Sequence, residues 1–352
     1  MARAVLTSPA LLMAMVGLTV MPSVAHGSGL SIKPTTAPAE ASSSDLLGVS
    51  CASQASCIAV GNAERTGESG GDKQLGAFAE LWNGTSWTVM TAPSSAQSSL
   101  VGVSCPSATS CVAVGQADAR PLAEHWDGTA WTVLKTARLP GPHYGTLQAI
   151  SCVSEDTCVA AGYYQALHEQ AAAAPGALVE QWNGARWTLQ HANPRPISSD
   201  STLSGISCTS GSSCVAVGAF WPEEGNGYPG KPLAERWNGR SWAITASATV
   251  PRAGGELQGV SCTSATSCTA VGQLNPGAYP QPHNRLRIPW KSGLLVEHWN
   301  GIRWATEPAQ QPGSANRGAE PILNGVSCLS PEFCTAVGDR ASGAVPAALA
   351  EG

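Results

Sequence analysis

Twelve cysteines offer the most obvious chemistry in this sequence, and they fall into six pairs: Cys51/Cys57, Cys105/Cys111, Cys152/Cys158, Cys208/Cys214, Cys262/Cys268 and Cys328/Cys334. None is left over, and the same five-residue gap separates every pair. An even count at constant spacing in an exported chain reads as one local disulfide per pair. Each pair brackets the five-residue loop of a hairpin, across which two Cβ atoms can reach bonding distance. Closing so small a ring is worth about 2 kcal/mol per bridge on the chain-entropy account. Zinc would need four ligands, and no histidine recurs at a fixed offset from the pairs. Dithiol redox chemistry would need Cys-x-x-Cys spacing and one low-pKa thiol, not six equivalent pairs.

A carboxylate recurs as well, at Glu80, Glu124, Glu180, Glu235, Glu297 and Glu351. Acid-pair hydrolysis needs two carboxylates facing one bond, roughly 5 to 10 Å apart. Repetition in every copy points instead to a structural task, such as accepting hydrogen bonds from a neighbouring repeat. Ten of the twelve tryptophans form pairs five residues apart: Trp82/Trp87, Trp126/Trp131, Trp182/Trp187, Trp237/Trp242 and Trp299/Trp304. They are expected to touch across a hairpin and to pack between repeats. Sugar stacking is the functional alternative, and their presence in five copies weighs against it. Asn83-Gly84-Thr85 fits a glycosylation sequon, but other copies lack the hydroxyl, so it reads as a turn.

These residues belong to one repeat. The pattern L-x-[GA]-[VI]-S-C-x5-C-x-A-[VA]-G begins at Leu46, Leu100, Leu147, Leu203, Leu257 and Leu323. In the first five copies [AV]-E-x-W-[ND]-G-x-x-W follows. Successive first cysteines lie 47 to 66 residues apart, a period suited to four-stranded propeller blades. Each copy reads as a meander of strands A to D, with a glycine turn between C and D. No segment sustains a 3.6-residue period. The expected fold is therefore all-β: a six-bladed β-propeller of four-stranded antiparallel blades over residues 46–352.

The repeat resembles the bacterial kelch and Asp-box (BNR-like) propeller blades, including those of photosystem-assembly-factor type. Those blades likewise join an L-x-x-V strand and an A-V-G strand to a turn ending in Gly-x-x-Trp, and the match runs over residues 30–352. The resemblance implies the architecture rather than a chemistry, because propellers host unrelated activities. Two features depart from the pattern. Only Asp127 keeps the Asp-box aspartate, with Asn83, Asn183, Asn238 and Asn300 in its place elsewhere, and the kelch double glycine is absent.

The sixth copy stops at Ala350-Glu351-Gly352, before its Trp hairpin. Residues 26–45 are expected to hold a closing strand, because Ser31-Ile32-Lys33 followed by Ala37-Pro38 parallels Thr88-Val89-Met90 followed by Ala92-Pro93. Such a strand D would finish the last blade and remove an exposed edge. The rival reading is a chain that has lost its final blade. Residues 1–25 read as a secretory signal: Arg3, an apolar stretch from Ala10 to Val20, then Ser23-Val24-Ala25. No later stretch is apolar enough to span a bilayer, so a secreted, extracytoplasmic protein is expected. With a net charge of -5 there is no basic footprint for nucleic acid or anionic lipid. No cofactor or metal is implied.

In a meander, A–B and C–D turns emerge at one end and B–C and D–A loops at the other. The first set is short and uniform, the second variable, so the second end is the candidate for recognition. Its richest residues are Tyr163, Tyr164, His168 and Glu169 in copy three. Copy four offers Trp221, Glu223, Glu224 and Tyr228, and copy five Tyr279, His283 and Trp290. The alternative is that these side chains only pack their own loops. A non-catalytic binder of extracellular glycan or protein is the favoured function. The alternative is a propeller glycoside hydrolase or lyase, with Glu223/Glu224 and His168/Glu169 as crude candidates. No G-x-S-x-G elbow, H-E-x-x-H helix or phosphate loop is present.

Overall fold

The computed structural model describes residues 35, 37–39, 41–66, 73–90, 97–139, 143–166, 176–190, 200–221, 230–247, 254–275, 293–309, 321–340 and 347–351. They form strands and turns without a helix, in six consecutive antiparallel meanders. Sheet 1 holds β1 (Ala41–Ser53), β2 (Ser56–Thr66), β3 (Lys73–Trp82) and β4 (Trp87–Met90). Sheet 2 holds β5 (Ser98–Ser107), β6 (Ser110–Ala117), β7 (Arg120–Trp126) and β8 (Trp131–Leu134). Sheet 3 runs through β9 (His143–Ser154), β10 (Thr157–Ala166), β11 (Gly176–Trp182) and β12 (Trp187–Gln190). Sheet 4 has β13 (Asp200–Ser210), β14 (Ser213–Trp221), β15 (Lys231–Trp237) and β16 (Trp242–Thr245). Sheet 5 has β17 (Gly254–Ser264), β18 (Ser267–Asn275), β19 (Gly293–Trp299) and β20 (Trp304–Thr306).

Sheet 6 differs. It contains β21 (Pro321–Ser330), β22 (Phe333–Arg340) and β23 (Ala347–Glu351), three strands rather than four. Six complete blades are therefore not what the described residues contain: there are five, and a sixth that ends on its third strand. The closing strand expected near Ile32 and the signal segment lie outside the described residues. No helix among the described residues is long and apolar enough to cross a membrane.

The strand-A sequences build the centre. The first strand of each sheet borders one passage of about 190 Å³, lined by Gly48, Gly102, Ala149, Gly205, Gly259 and Gly325 among others. Small residues are needed there because neighbouring strands approach closely: a Cβ on Gly205 would stand 2.8 Å from the Gln258 carbonyl. Antiparallel sheets set with their first strands around one passage are a propeller-type arrangement.

The cysteine pairs bond as expected, with Cα–Cα distances of 3.9 to 4.1 Å. The loop between them is tighter than the spacing suggested. Ser53 pairs with Ser56 and Ser210 with Ser213, leaving a two-residue turn inside the bridge.

The second cysteine of each bridge turns inward. Cys57, Cys111, Cys158, Cys214 and Cys268 are buried, and Cys334 in the three-stranded sheet is half-buried. The reason is register. Each of the five lies opposite the first tryptophan of its sheet: Cys57 opposite Trp82, Cys111 opposite Trp126, Cys158 opposite Trp182, Cys214 opposite Trp237 and Cys268 opposite Trp299. Cys111, Cys158, Cys214 and Cys268 thereby join the apolar layers between successive sheets. These cysteines are core residues as well as hairpin staples, in keeping with the apolar character of sulfur.

The C–D turn takes four residues, because the paired tryptophans flank it directly. Its first side chain replaces a backbone acceptor: Asn83 Oδ1 accepts from the N–H of Thr85 and of Ser86, both at 3.0 Å. Gly84 follows with φ at 93°. Asp127 accepts from the Thr129 hydroxyl at 2.7 Å and, in the same way as Asn83, from the Thr129 and Ala130 N–H groups, and these bonds, the hydroxyl's foremost, hold its pKa down at about 2. The one Asp-box aspartate is thus a turn residue like its asparagine counterparts.

Apolar faces of successive sheets supply the core. Ile58, Val60 and Ala79 of sheet 1 pack on Leu100, Val103, Trp126 and Trp131 of sheet 2. The same set recurs where Val215, Val217 and Ala234 meet Leu257, Val260, Trp299 and Trp304. The tryptophan pairs sit with ring centroids 5.5 to 5.8 Å apart. The second tryptophan of each pair is buried in sheets 2 to 5, so these rings are packing elements rather than exposed platforms.

Candidate functional site

The strand-A motif contains a bulge that the sequence pattern conceals. Leu147 pairs with Gly162 and Ala149 with Ala161, so Gln148 is left without a cross-strand partner. The same register shift frees Leu47, Val101, Ser204, Gln258 and Asn324. The glycine of A-V-G makes the bulge possible, since a Cβ on Gly162 would overlap the carbonyl of Thr146. Bulges re-aim side chains, and in sheets 2 to 6 they bring one residue each to a common cavity.

The result is a cup of about 370 Å³ at the end of the passage where B–C and D–A loops emerge. Val101, Gln148, Ser204, Gln258 and Asn324 line it from the bulges. Ser99 and Thr146 join from the residues just before the repeat's leucine, and Gln116 and Tyr163 from the ends of their B strands. The lining is four carboxamides, three aliphatic hydroxyls, a phenol and one valine. None carries a charge. Carboxamides and hydroxyls both donate and accept, so the cup can match a neutral ligand rich in hydroxyl or amide groups. Behind it, Gln258 Nε2 donates to Glu256 Oε2 (3.4 Å), and burial raises the Glu256 pKa above the ordinary carboxylate value.

Of the residues singled out from the sequence as ligand contacts, Tyr163 reaches the cup. Its neighbour Tyr164 does not. It packs edge-on to His143 at 5.4 Å and against the core between sheets 2 and 3. Successive strand residues point to opposite faces, so the two tyrosines could not share a role. Trp221 ends β14 opposite Asp200, half-buried, with its indole close to Gly230. His168, Glu169, Glu223, Glu224, Tyr228, Tyr279, His283 and Trp290 lie outside the described residues. None of the bridge cysteines lines the cup, and all twelve are bonded, so Cys57, Cys111, Cys214, Cys268 and the rest are structural residues rather than reacting ones. The bulge residues escaped the sequence reading, although a signal was there: they are the variable x of an otherwise constant L-x-[GA].

Five of the recurrent glutamates, Glu80, Glu124, Glu180, Glu235 and Glu297, are buried. Glu180 Oε2 accepts from the Ala137 N–H at 2.8 Å, and Ser247 Oγ donates to Glu297 Oε1 at 2.6 Å. Both donors lie just past the last strand of the preceding sheet, so the carboxyl receives that sheet's chain as it exits. Burial pushes the Glu180 pKa up to about 7, with the Ala137 bond opposing the shift. Of Glu351 only the backbone is described, pairing with Ala336. Among the described residues no three histidine, cysteine or acidic side chains come together as a metal site would require.

No protein-family model matches the chain, and no curated protein matches it in sequence. Solved structures align with most of it. "YCF48 bound to D1 peptide" shares 13% identity over 84% of this chain and 89% of that one, at a TM-score of 0.43. The WD40 repeats of RRP9 share 9% over 83% and 86%, at 0.45. An α-L-arabinofuranosidase from Fusarium graminearum, in complex with an iminosugar inhibitor, shares 10% over 87% and 92%, at 0.49. One of these neighbours is seen with a bound peptide and another is an enzyme, and likeness at this level does not choose between them.

Proposed function

We propose that the protein is a secreted, non-catalytic propeller that binds an uncharged segment of extracellular glycan or protein at its loop-bearing end. The observation that carries this reading is the neutral, hydrogen-bonding cup. Its described lining comes from five sheets and includes no carboxylate pair of the kind glycosidic hydrolysis needs. Trp221 at the end of β14 would extend the contact, and Trp290, outside the described residues, is proposed to join it. Six local disulfides are consistent with an oxidising compartment.

Glycan-array and secretome pull-down binding should weaken at least tenfold in a Gln148→Ala/Gln258→Ala variant, as expected for losing two buried polar contacts. A Trp221→Ala/Trp290→Ala variant should also bind more weakly. Full binding by both variants would remove the site assignment. Hydrolysis or cleavage of any polysaccharide by the purified protein would replace this reading with the enzyme one.

The ring is proposed to have six blades of kelch or Asp-box type, the last finished by the N-terminal segment around Ile32. Supporting this, β23 is the outermost strand of sheet 6. In addition, a cleft of about 210 Å³ lies beside Thr269, Val271 and Val296. The matching residues of sheet 4, Val215, Val217 and Ala234, are covered by Trp299 and Trp304 of the following sheet. A strand added to β23 would supply a side chain there. Deleting residues 27–40 should lower the melting temperature by several degrees, as a loss of a few kcal/mol would; unchanged melting would exclude the closing strand.

A further inference from the structure

Four times along the chain, tryptophans of one sheet pack on the sheet before it: sheet 2 on 1, 3 on 2, 4 on 3 and 5 on 4. Sheet 6 has three strands among the described residues, and its copy carries no Trp pair. Between sheets 5 and 6 there is instead a cleft of about 210 Å³. Val271, Val296, Val326 and Ala336 line it, and they match Val217, Ala234, Val260 and Ala270, which pack with Trp299 and Trp304 between sheets 4 and 5. Cys334 lines it too, and the cysteines it matches lie opposite first tryptophans. One aromatic ring fits a cavity of roughly 150 Å³, so an indole can enter.

The other sheets show which polar groups a ring in this place meets. A first tryptophan donates its indole N–H to the carbonyl three residues past its sheet's first cysteine: Trp82 to Gln54 (3.1 Å), Trp182 to Glu155 (3.2 Å) and Trp237 to Gly211 (3.1 Å). In sheet 6 that position is Pro331, which lines the cleft. Between sheets 4 and 5 a cation joins the ring. The Arg236 guanidinium lies 4.8 Å over Trp299 and donates to the carbonyl of Ala265, the residue that matches Pro331. Sheet 5 has His298 in the place of Arg236, with its Nδ1 3.5 Å from Thr269 Oγ1. Two exposed carboxylates border the cleft as well. Glu332 follows Pro331, and Glu307 stands where Thr245 Oγ1 accepts from Trp304 Nε1 at 3.0 Å.

We propose that this cleft binds a small cationic indole of the tryptamine class. The indole takes the place of a first tryptophan and donates its N–H to the Pro331 carbonyl, while its ammonium arm meets Glu307 and Glu332. Charge selects the amine, because the two carboxylates repel an indole acid of the same size. Volume selects a small molecule, since two rings and a short arm fill the cleft. The site shares no residue with the cup. It is also compatible with the closing strand. That segment carries Leu30-Ser31-Ile32 where copy one has Trp87-Thr88-Val89, so it offers a leucine in the second ring's place and nothing in the first's.

Fluorine NMR of 5-fluorotryptamine added to the full, disulfide-bonded protein tests the proposal. Its Kd should be about 1 mM or tighter, within reach of a ligand this small. In competition, 1-methyltryptamine should bind about fivefold more weakly than tryptamine, for want of the N–H. Indole-3-propionate should be weaker than tryptamine by about fivefold or more, and Glu307→Gln/Glu332→Gln should narrow that gap by weakening the amine about threefold. Gln148→Ala in the cup should leave tryptamine binding unchanged, so failure at either site is read separately. No binding at millimolar tryptamine would overturn the proposal, as would full binding by the Glu307→Gln/Glu332→Gln variant. Binding that appears only after deletion of residues 27–40 would overturn it by giving the cleft to the chain's own segment. Binding of a Lys-Trp-Lys peptide but not of tryptamine would overturn it in favour of a protein partner.

Discussion

The carbonyl of Thr146 occupies the place where a Cβ on Gly162 would stand. That contact holds the bulge at Gln148, and through it one wall of the cup. Gly162→Ala should therefore cost about 1 to 3 kcal/mol of unfolding free energy, the usual range for forcing extra volume into a packed site. It should also weaken any ligand that uses Gln148. Denaturant titration reads the first effect. A loss of less than about 0.5 kcal/mol would show that the strand yields and the bulge is not held by the glycine.

Glu180 makes stability depend on pH in a defined direction. Its folded pKa, raised by burial to about 7, exceeds the ordinary 4.5, so folding favours the protonated form. The unfolded chain releases this proton as pH rises past 4.5, whereas the folded one holds it to about 7. Stability should therefore fall between those values and change little above them on this account. Glu180→Gln keeps an acceptor for the Ala137 N–H and has no proton to lose. Its melting temperature should vary less over that window than the wild type's. Parallel pH profiles for the two proteins would mean another group controls the dependence.

A single bridge can be removed without touching the cup. Cys152→Ser with Cys158→Ser should lower stability by about 2 kcal/mol, as expected for opening a short loop. Because Cys158 is buried, Cys152→Ala with Cys158→Ala should cost less than the serine pair, which leaves a hydroxyl in the apolar layer. The denaturant slope should stay unchanged if the fold persists. A collapse of folding would show that the bridges act together rather than one by one.

The two adjacent tyrosines of β10 should behave oppositely. Tyr164→Ala removes a ring packed on His143 and the core, and should destabilise by about 3 kcal/mol. Tyr163→Phe deletes only a hydroxyl at the cup. It should leave melting within about a degree of wild type, as a surface change does, while reducing ligand affinity. Equal effects on stability from both would contradict the placement.

Much of the fold was legible because it is local along the chain. Cysteines separated by five residues on one hairpin bond across it whatever lies elsewhere. Tryptophans flanking an Asn-Gly turn become cross-strand neighbours by the pairing register alone. That Cys111 and Cys214 would be buried was less legible, since the apolar layer covering them comes partly from the preceding sheet. The four-strand meander was legible from the repeat, and five of the described sheets have it, while the sixth, whose copy lacks the Trp hairpin, has three strands.

The cup was not legible from pattern. A repeat specifies which strands form and which side chain alternates to which face, and twelve cysteines in register specify six bridges. The tertiary structure alone decided which variable residue each bulge turns toward the axis, because that depends on a one-residue slip in pairing. It alone decided that the serines Ser50, Ser104, Ser151, Ser207 and Ser261 each accept from the N–H of the next sheet's first cysteine, because a bond between sheets depends on where the sheets stand around the passage.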